Sequence, residues 1–289
     1  MIMDGHVTSL DAARLRRLYR RARSFLLQKI PGRDAATILD LYLTPPNGSG
    51  VRLRLPQLYQ DMLFSAQNAN MKAGVIGGSI GGIANLGIVL DGFDPFKVGQ
   101  TYGDDAAQLL SRIVEELKPR GQVRRTSRSL WPKYCQTILS AAAFFRQFGD
   151  GDAFYAWADH FYLDIRSRAA LPMILAEEIY GVGYPLACDF LKELGFVDYE
   201  KPDVHIKDIF IGVGLCHPKT TDYEYQKIIG RIADASDTTA YNVDKLFWLI
   251  GSGNFYLHTH LGRRGHIGRN KAAFLAQLAG SPCLQRDDA

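Results

Sequence analysis

The stretch ALPMILAEEIYGVGYPLACDFLKELG, residues 170–195, decides how the rest of the chain is read. It reads as helix, tight turn, helix, with the turn at Gly181-Val182-Gly183-Tyr184. Glycines at 181 and 183 permit dihedrals and a close backbone approach that side chains would block. Pro185 then suits the first position of the second helix, where its missing N–H costs nothing. Such a turn points free backbone N–H groups outward at a helix N-terminus, a ready anion site. That suits a DNA phosphate held without regard to sequence. A Gly-Val-Gly run alone also suits a plain helical corner.

Outward from this hairpin the pattern stays helical. Leu15, Leu18, Ala22, Phe25 and Leu26 recur at helical spacing, after a start signal in which Thr8 precedes Asp11 by three. Further helices are expected around 55–73, 104–118, 133–148, 151–165, 185–195, 204–213, 222–234 and 239–250. The only strand-like scrap is VRLRL at 51–55. The glycine-rich run from Gly74 and the segment up to Trp131 read as loops, with turn signals at Asp91-Gly92 and Pro119-Arg120-Gly121. The fold class expected is all-α.

Composition narrows the function classes. The chain has 289 residues, 47% apolar and 22% charged, the proportions of a soluble globular protein. Nothing approaches the eighteen or so uninterrupted apolar residues of a membrane span. The opening residues show no apolar core followed by a cleavage pattern, so no secretory leader is expected. Four scattered cysteines do not make a disulfide framework. A cytoplasmic, reduced setting is expected. The net charge is only +4, but arginines cluster at 14–23, at 120–128 and at 263–269. Three basic clusters are a footprint for a polyanion; a solvated helix face and two charged loops would look the same.

Twenty positions after Gly183 comes Asp203-Val204-His205, opening another helix. The helix dipole there favours an ionised carboxylate, and a lone aspartate in that place is usually an N-cap. The hairpin and the spaced aspartate together resemble the helix-hairpin-helix DNA glycosylase superfamily, the relatives of endonuclease III and adenine glycosylase. Leu63-Phe64-Ser65-Ala66-Gln67-Asn68 is similar to that family's L-L-S-A-Q-A segment. Val243-Asp244-Lys245-Leu246-Phe247-Trp248-Leu249-Ile250-Gly251 looks like its late helix ending in glycine. The matches span most of residues 55–255.

The resemblance implies two helical subdomains with a DNA-binding cleft between them. One is a central domain, 46–197, carrying the hairpin; the other joins 1–45 to 198–289. It implies double-stranded DNA with a damaged or modified base as partner, and a monomer associated with the nucleoid. Asp203 is the implied catalytic carboxylate, stabilising oxocarbenium-like charge and helping to activate water. Gly181, Val182, Gly183, Gln67 and Asn68 are the implied DNA-binding residues, with Gln67 filling the gap left by a flipped base. Bifunctional members carry a lysine two residues after the second glycine; here that residue is Pro185, which implies a monofunctional enzyme. Lys201 or Lys207 would be the displaced lysines of a lyase alternative. Iron–sulfur members carry four cysteines beyond the late helix, whereas this chain has only Cys283 there, so no cofactor is expected. Base excision repair and removal of hypermodified bases from foreign DNA both fit, and a catalytically silent DNA-binding module is the alternative. Trp131, beside Pro132 and the basic loop, is the favoured aromatic for reading a base. His258, His260 and His266 invite a metal, but no carboxylate or cysteine nearby completes a set.

Overall fold

The structure is a computed structural model that describes residues 11–44, 52–67, 75–164, 166–200 and 202–279. The described residues are helical, without a strand; two isolated bridges, Asn254 with His266 and Arg263 with His266, are the β-like pairings. In chain order the helices are α1 (Ala12–Lys29), α2 (Ala35–Tyr42), α3 (Leu55–Ala66), α4 (Val75–Ser79), α5 (Pro95–Tyr102), α6 (Ala106–Leu117), α7 (Leu130–Phe145), α8 (Gly151–Leu163), α9 (Ala170–Glu178), α10 (Tyr184–Glu193), α11 (Val204–Gly212), α12 (Asp222–Ser236), α13 (Ala240–Ser252) and α14 (Lys271–Ala279). A 3₁₀ helix, Ile83–Ile88, follows α4. No described helix is long and apolar enough to cross a membrane.

The chain divides into two compact units, Met1–Asn47 with Val197–Ala289, and Gly48–Phe196. The expected central domain, 46–197, starts two residues before the second of these units and ends one after it.

In the terminal unit α1 lies against α12, α13 and α2, and α11 lies against α13 and α14. The sequence dictates this directly: Leu15, Leu18, Ala22, Phe25 and Leu26 form one buried stripe on α1, while Arg17 and Arg20 are exposed and Arg14 and Arg16 reach the carbonyls of Val213 and Ala235. Phe25, Phe210, Phe247 and Phe274 close the core through edge and tilted ring contacts of 5.2–6.2 Å. The α1 N-cap is Asp11, whose carboxylate accepts from Ala13 N at 2.9 Å.

In the central unit α7 is the hub, with α3, α5, α6 and α9 packed on it, and α10 packs on α9 and α3. Phe144, Phe145, Phe154 and Phe190 are buried together, with Phe148 and Trp157 in ring contact at the edge of the cluster. Tyr134 donates to Leu63 O at 2.8 Å and Tyr59 to Ile138 O at 2.9 Å, so the buried phenols on α7 and α3 are satisfied.

Three sequence expectations are corrected. Residues 75–102 are not mainly loop: they hold α4, the 3₁₀ helix and α5, while α6 falls on the helix expected around 104–118. Asp94 caps α5, accepting from Phe96 N and Lys97 N, and Pro95 opens it. The alternation in VRLRL makes no strand, because Arg54 is the N-cap of α3 and Leu55 its first residue. Pro185 is the second residue of α10 rather than the first, since Tyr184 opens the helix and Gly183 caps it.

Candidate functional site

The expected catalytic carboxylate lies in the terminal unit. Asp203 is the N-cap of α11, and its Oδ1 accepts from His205 N at 2.8 Å and Ile206 N at 3.1 Å. Both bonds fall on one oxygen, which leaves Oδ2 for another partner. The residue is half-buried, with Pro202 buried before it and Val204 exposed after it. The cap therefore fixes the carboxylate's direction without sealing it from solvent. Burying an ionised group outright would be far more costly.

Two residues on, His205 sits against Gly251 at the end of α13: a Cβ added to that glycine would lie 2.5 Å from the His205 Cβ. The same imidazole lines a pocket of about 320 Å³ with Ser252, Asn254, His266, Gly268 and Arg269. Those residues arrive on the return of the chain after α13. Phe255 N donates to Gly265 O at 2.7 Å and Ile267 N to Gly253 O at 3.0 Å, which folds 253–268 into a compact loop. The pocket offers two imidazoles, a hydroxyl, an amide and a guanidinium; Asp203 lies two residues before His205 and is not among its lining residues. Such a set can bind polar and anionic groups.

Of the pocket residues beyond the histidines, the sequence points to Arg269, through the basic cluster at 263–269, but not to Ser252 or Asn254. The available signal for them is the dense run of glycine, histidine and arginine over 251–269. His258 and His260 have ring centroids 5.6 Å apart. Among the described residues no group of three or more His, Cys, Asp or Glu side chains is placed to hold a metal.

The hairpin belongs to the central unit. Ile179 ends α9, Val182 N donates to Ile179 O at 3.1 Å, and Leu186 N and Ala187 N both donate to Gly183 O. Val182 is buried while Gly181 and Gly183 are exposed, so the turn is anchored by one side chain and presents backbone at its surface. Gly181 has φ +76°, and a Cβ there would meet Thr137 Oγ1 at 3.0 Å. Gly181→Ala is therefore expected to cost about 1–2 kcal/mol through left-handed backbone strain. A denaturant midpoint measurement reads this loss. Gly181→Asn should lose less, since asparagine tolerates that conformation.

Gln67 does something other than expected. It is 3% exposed at the C-terminus of α3, and its Oε1 accepts from Gly77 N at 3.2 Å. The amide ties the α3 end to the glycine corner, so the side chain is directed into the central unit rather than to an exposed surface. Asn68 lies outside the described residues, as do Lys201 and Cys283. Lys207 is held by Asp222 at 2.5 Å.

Compared with protein-family models, curated proteins and solved structures, the chain matches none.

Other reactive groups have structural surroundings. Burial pushes the Cys135 and Cys216 thiols up to about 12, which keeps them protonated at neutral pH and unreactive. Cys188 is buried. Burial first, and Glu193 second, push the Asp61 carboxyl above the usual carboxylate range. Trp131, the aromatic favoured for reading a base, is buried.

Proposed function

We propose that the chain is a DNA glycosylase that hydrolyses the N-glycosidic bond of a damaged or modified base, acting without a lyase step. The reading rests most on Asp203, held at a helix N-terminus by one oxygen with the other uncommitted, twenty residues after an exposed Gly-Val-Gly hairpin. The target nucleotide must leave the duplex stack, at a cost of a few kcal/mol. The hairpin turn would grip the backbone, and the carboxylate would stabilise charge on the sugar as the base departs. Pro185 at the position of the family's Schiff-base lysine supports simple hydrolysis.

The test is a panel of duplexes carrying damaged, mispaired or hypermodified bases, with mass analysis of what is released. A free base and an alkali-labile abasic strand are expected from one member of the panel. No adduct is expected under borohydride; a trapped protein–DNA adduct would instead point to a lyase.

One observation favours a second reading. With Gln67 bonded inside the central unit, the usual gap-filling side chain is missing, which suits a helix-hairpin-helix protein that binds DNA without excising anything. That module would bind duplexes with strong salt dependence and release no base from any of them.

A further inference from the structure

The central unit holds a second polar cavity, of about 480 Å³, whose lining includes Arg120, Arg124 and Arg128 together with Thr126, Ser129 and Trp131. No acidic residue lines it. We propose that it binds a phosphate monoester, either the terminal phosphate of a nucleic acid strand or that of a free nucleotide.

The charge count carries the assignment. Three exposed arginines line one concavity, and among the described residues none of the three is engaged in an ion pair. The neighbouring Arg125 is turned elsewhere, donating to Ser111 Oγ at 2.9 Å. A backbone diester brings one negative charge and two free oxygens. A monoester brings nearly two charges near neutral pH and three strong acceptor oxygens. Arginine forks match such a group with paired hydrogen bonds. A concave site also suits the end of a chain better than a chain passing through.

The cavity floor adds to this. Ser129 is the N-cap residue of α7, a sixteen-residue helix, yet its hydroxyl makes no capping bond. It pairs with Thr126 Oγ1 at 2.6 Å instead. The first residues of α7, Leu130 and Trp131, therefore line the same cavity with no side-chain cap on the helix's positive end. The basic loop is itself fixed at its near end, since Arg120 N donates to Ser79 O at 2.8 Å. A pocket of this volume is of ordinary size for a small ligand.

The inference does not depend on base excision, and Asp203→Asn leaves it untouched. The experiment titrates the full chain with a short fluorescent oligonucleotide bearing a 5′-phosphate, its 3′-phosphorylated isomer and its hydroxyl-ended twin, at fixed salt. A nucleoside monophosphate, the parent nucleoside and inorganic phosphate serve as competitors. At least one phosphorylated strand, or the nucleotide, is expected to bind about tenfold more tightly than its phosphate-free counterpart. Competition by the nucleotide at the same concentration as the strand identifies the free nucleotide as the source; failure to compete identifies the strand end. The doubly substituted Arg124→Gln, Arg128→Gln protein, whose altered side chains are exposed, should lose the tenfold preference and keep its melting temperature. Equal binding of phosphorylated and hydroxyl-ended ligands would overturn the proposal, leaving a general basic surface. So would a preference that survives in the double variant.

Discussion

Asp203→Asn is expected to lower base release by at least about 10²–10³-fold, while the fold and duplex binding stay close to wild type. The magnitude is that of removing one well-aimed electrostatic group from a transition state. Asparagine caps a helix about as well as aspartate, so the bonds from His205 N and Ile206 N persist in the variant. Only the charge is lost. Asp203→Ala removes the cap as well and should cost a further ~1 kcal/mol of stability. Comparing the two separates capping from catalysis. Single-turnover release from a true substrate, with melting temperature recorded alongside, is the measurement. A wild-type release rate in the asparagine variant would end the assignment of Asp203 as the catalytic group, and the acid would then be a helix cap and nothing more.

The contrast between Asp203 and Gln67 shows what a sequence discloses about a site. The aspartate's local role was legible, because an acidic residue before an apolar helical run is an N-cap signal in its own right. Its caps go to residues two and three positions away, within reach of local reading. Gln67 looked equally suggestive inside a matching segment, but its fate is set by Gly77, ten residues on. Tertiary hydrogen bonding of that kind leaves no local trace.

The same division holds for the fold. The stripe on α1 and the hairpin of α9 and α10 follow from spacing that repeats over several turns. The short α5 is hidden by its flank: the turn signal at Asp91-Gly92 reads as loop, although Asp94-Pro95 just after it is a cap followed by a favoured first residue. Eight residues are too few for a hydrophobic period to outweigh such punctuation. The pocket beside His205 was illegible for a further reason. Asn254, His266 and Arg269 are gathered by the return of a loop, and only the hydrogen bonds of that loop bring them to one place.

That loop depends on one position, and Gly253→Ala is expected to be the most damaging single-methyl change in the terminal unit. Gly253 ends α13 with φ +65°, its N–H donating to Leu249 O at 2.9 Å and its carbonyl accepting from Ile267 N at 3.0 Å. A Cβ there would lie 1.9 Å from the Gly268 carbonyl oxygen and 2.6 Å from its carbon. Both are backbone atoms, so no side chain can swing aside, and the strand of loop that lines the pocket must move. Left-handed strain of about 1–2 kcal/mol and about 1–3 kcal/mol for forced backbone shifts together predict a loss of roughly 2–5 kcal/mol. Thermal unfolding followed by circular dichroism should register a drop of roughly 5–15 °C for a unit of this size. Gly253→Asn discriminates between the two causes. Asparagine accepts the left-handed conformation but brings the same Cβ, so it should be nearly as destabilised as alanine. Near-wild-type melting of the asparagine variant would mean that backbone strain, not the approach of Gly268, fixes this glycine. The pocket would then tolerate a looser return of residues 254–268 than its hydrogen bonds suggest.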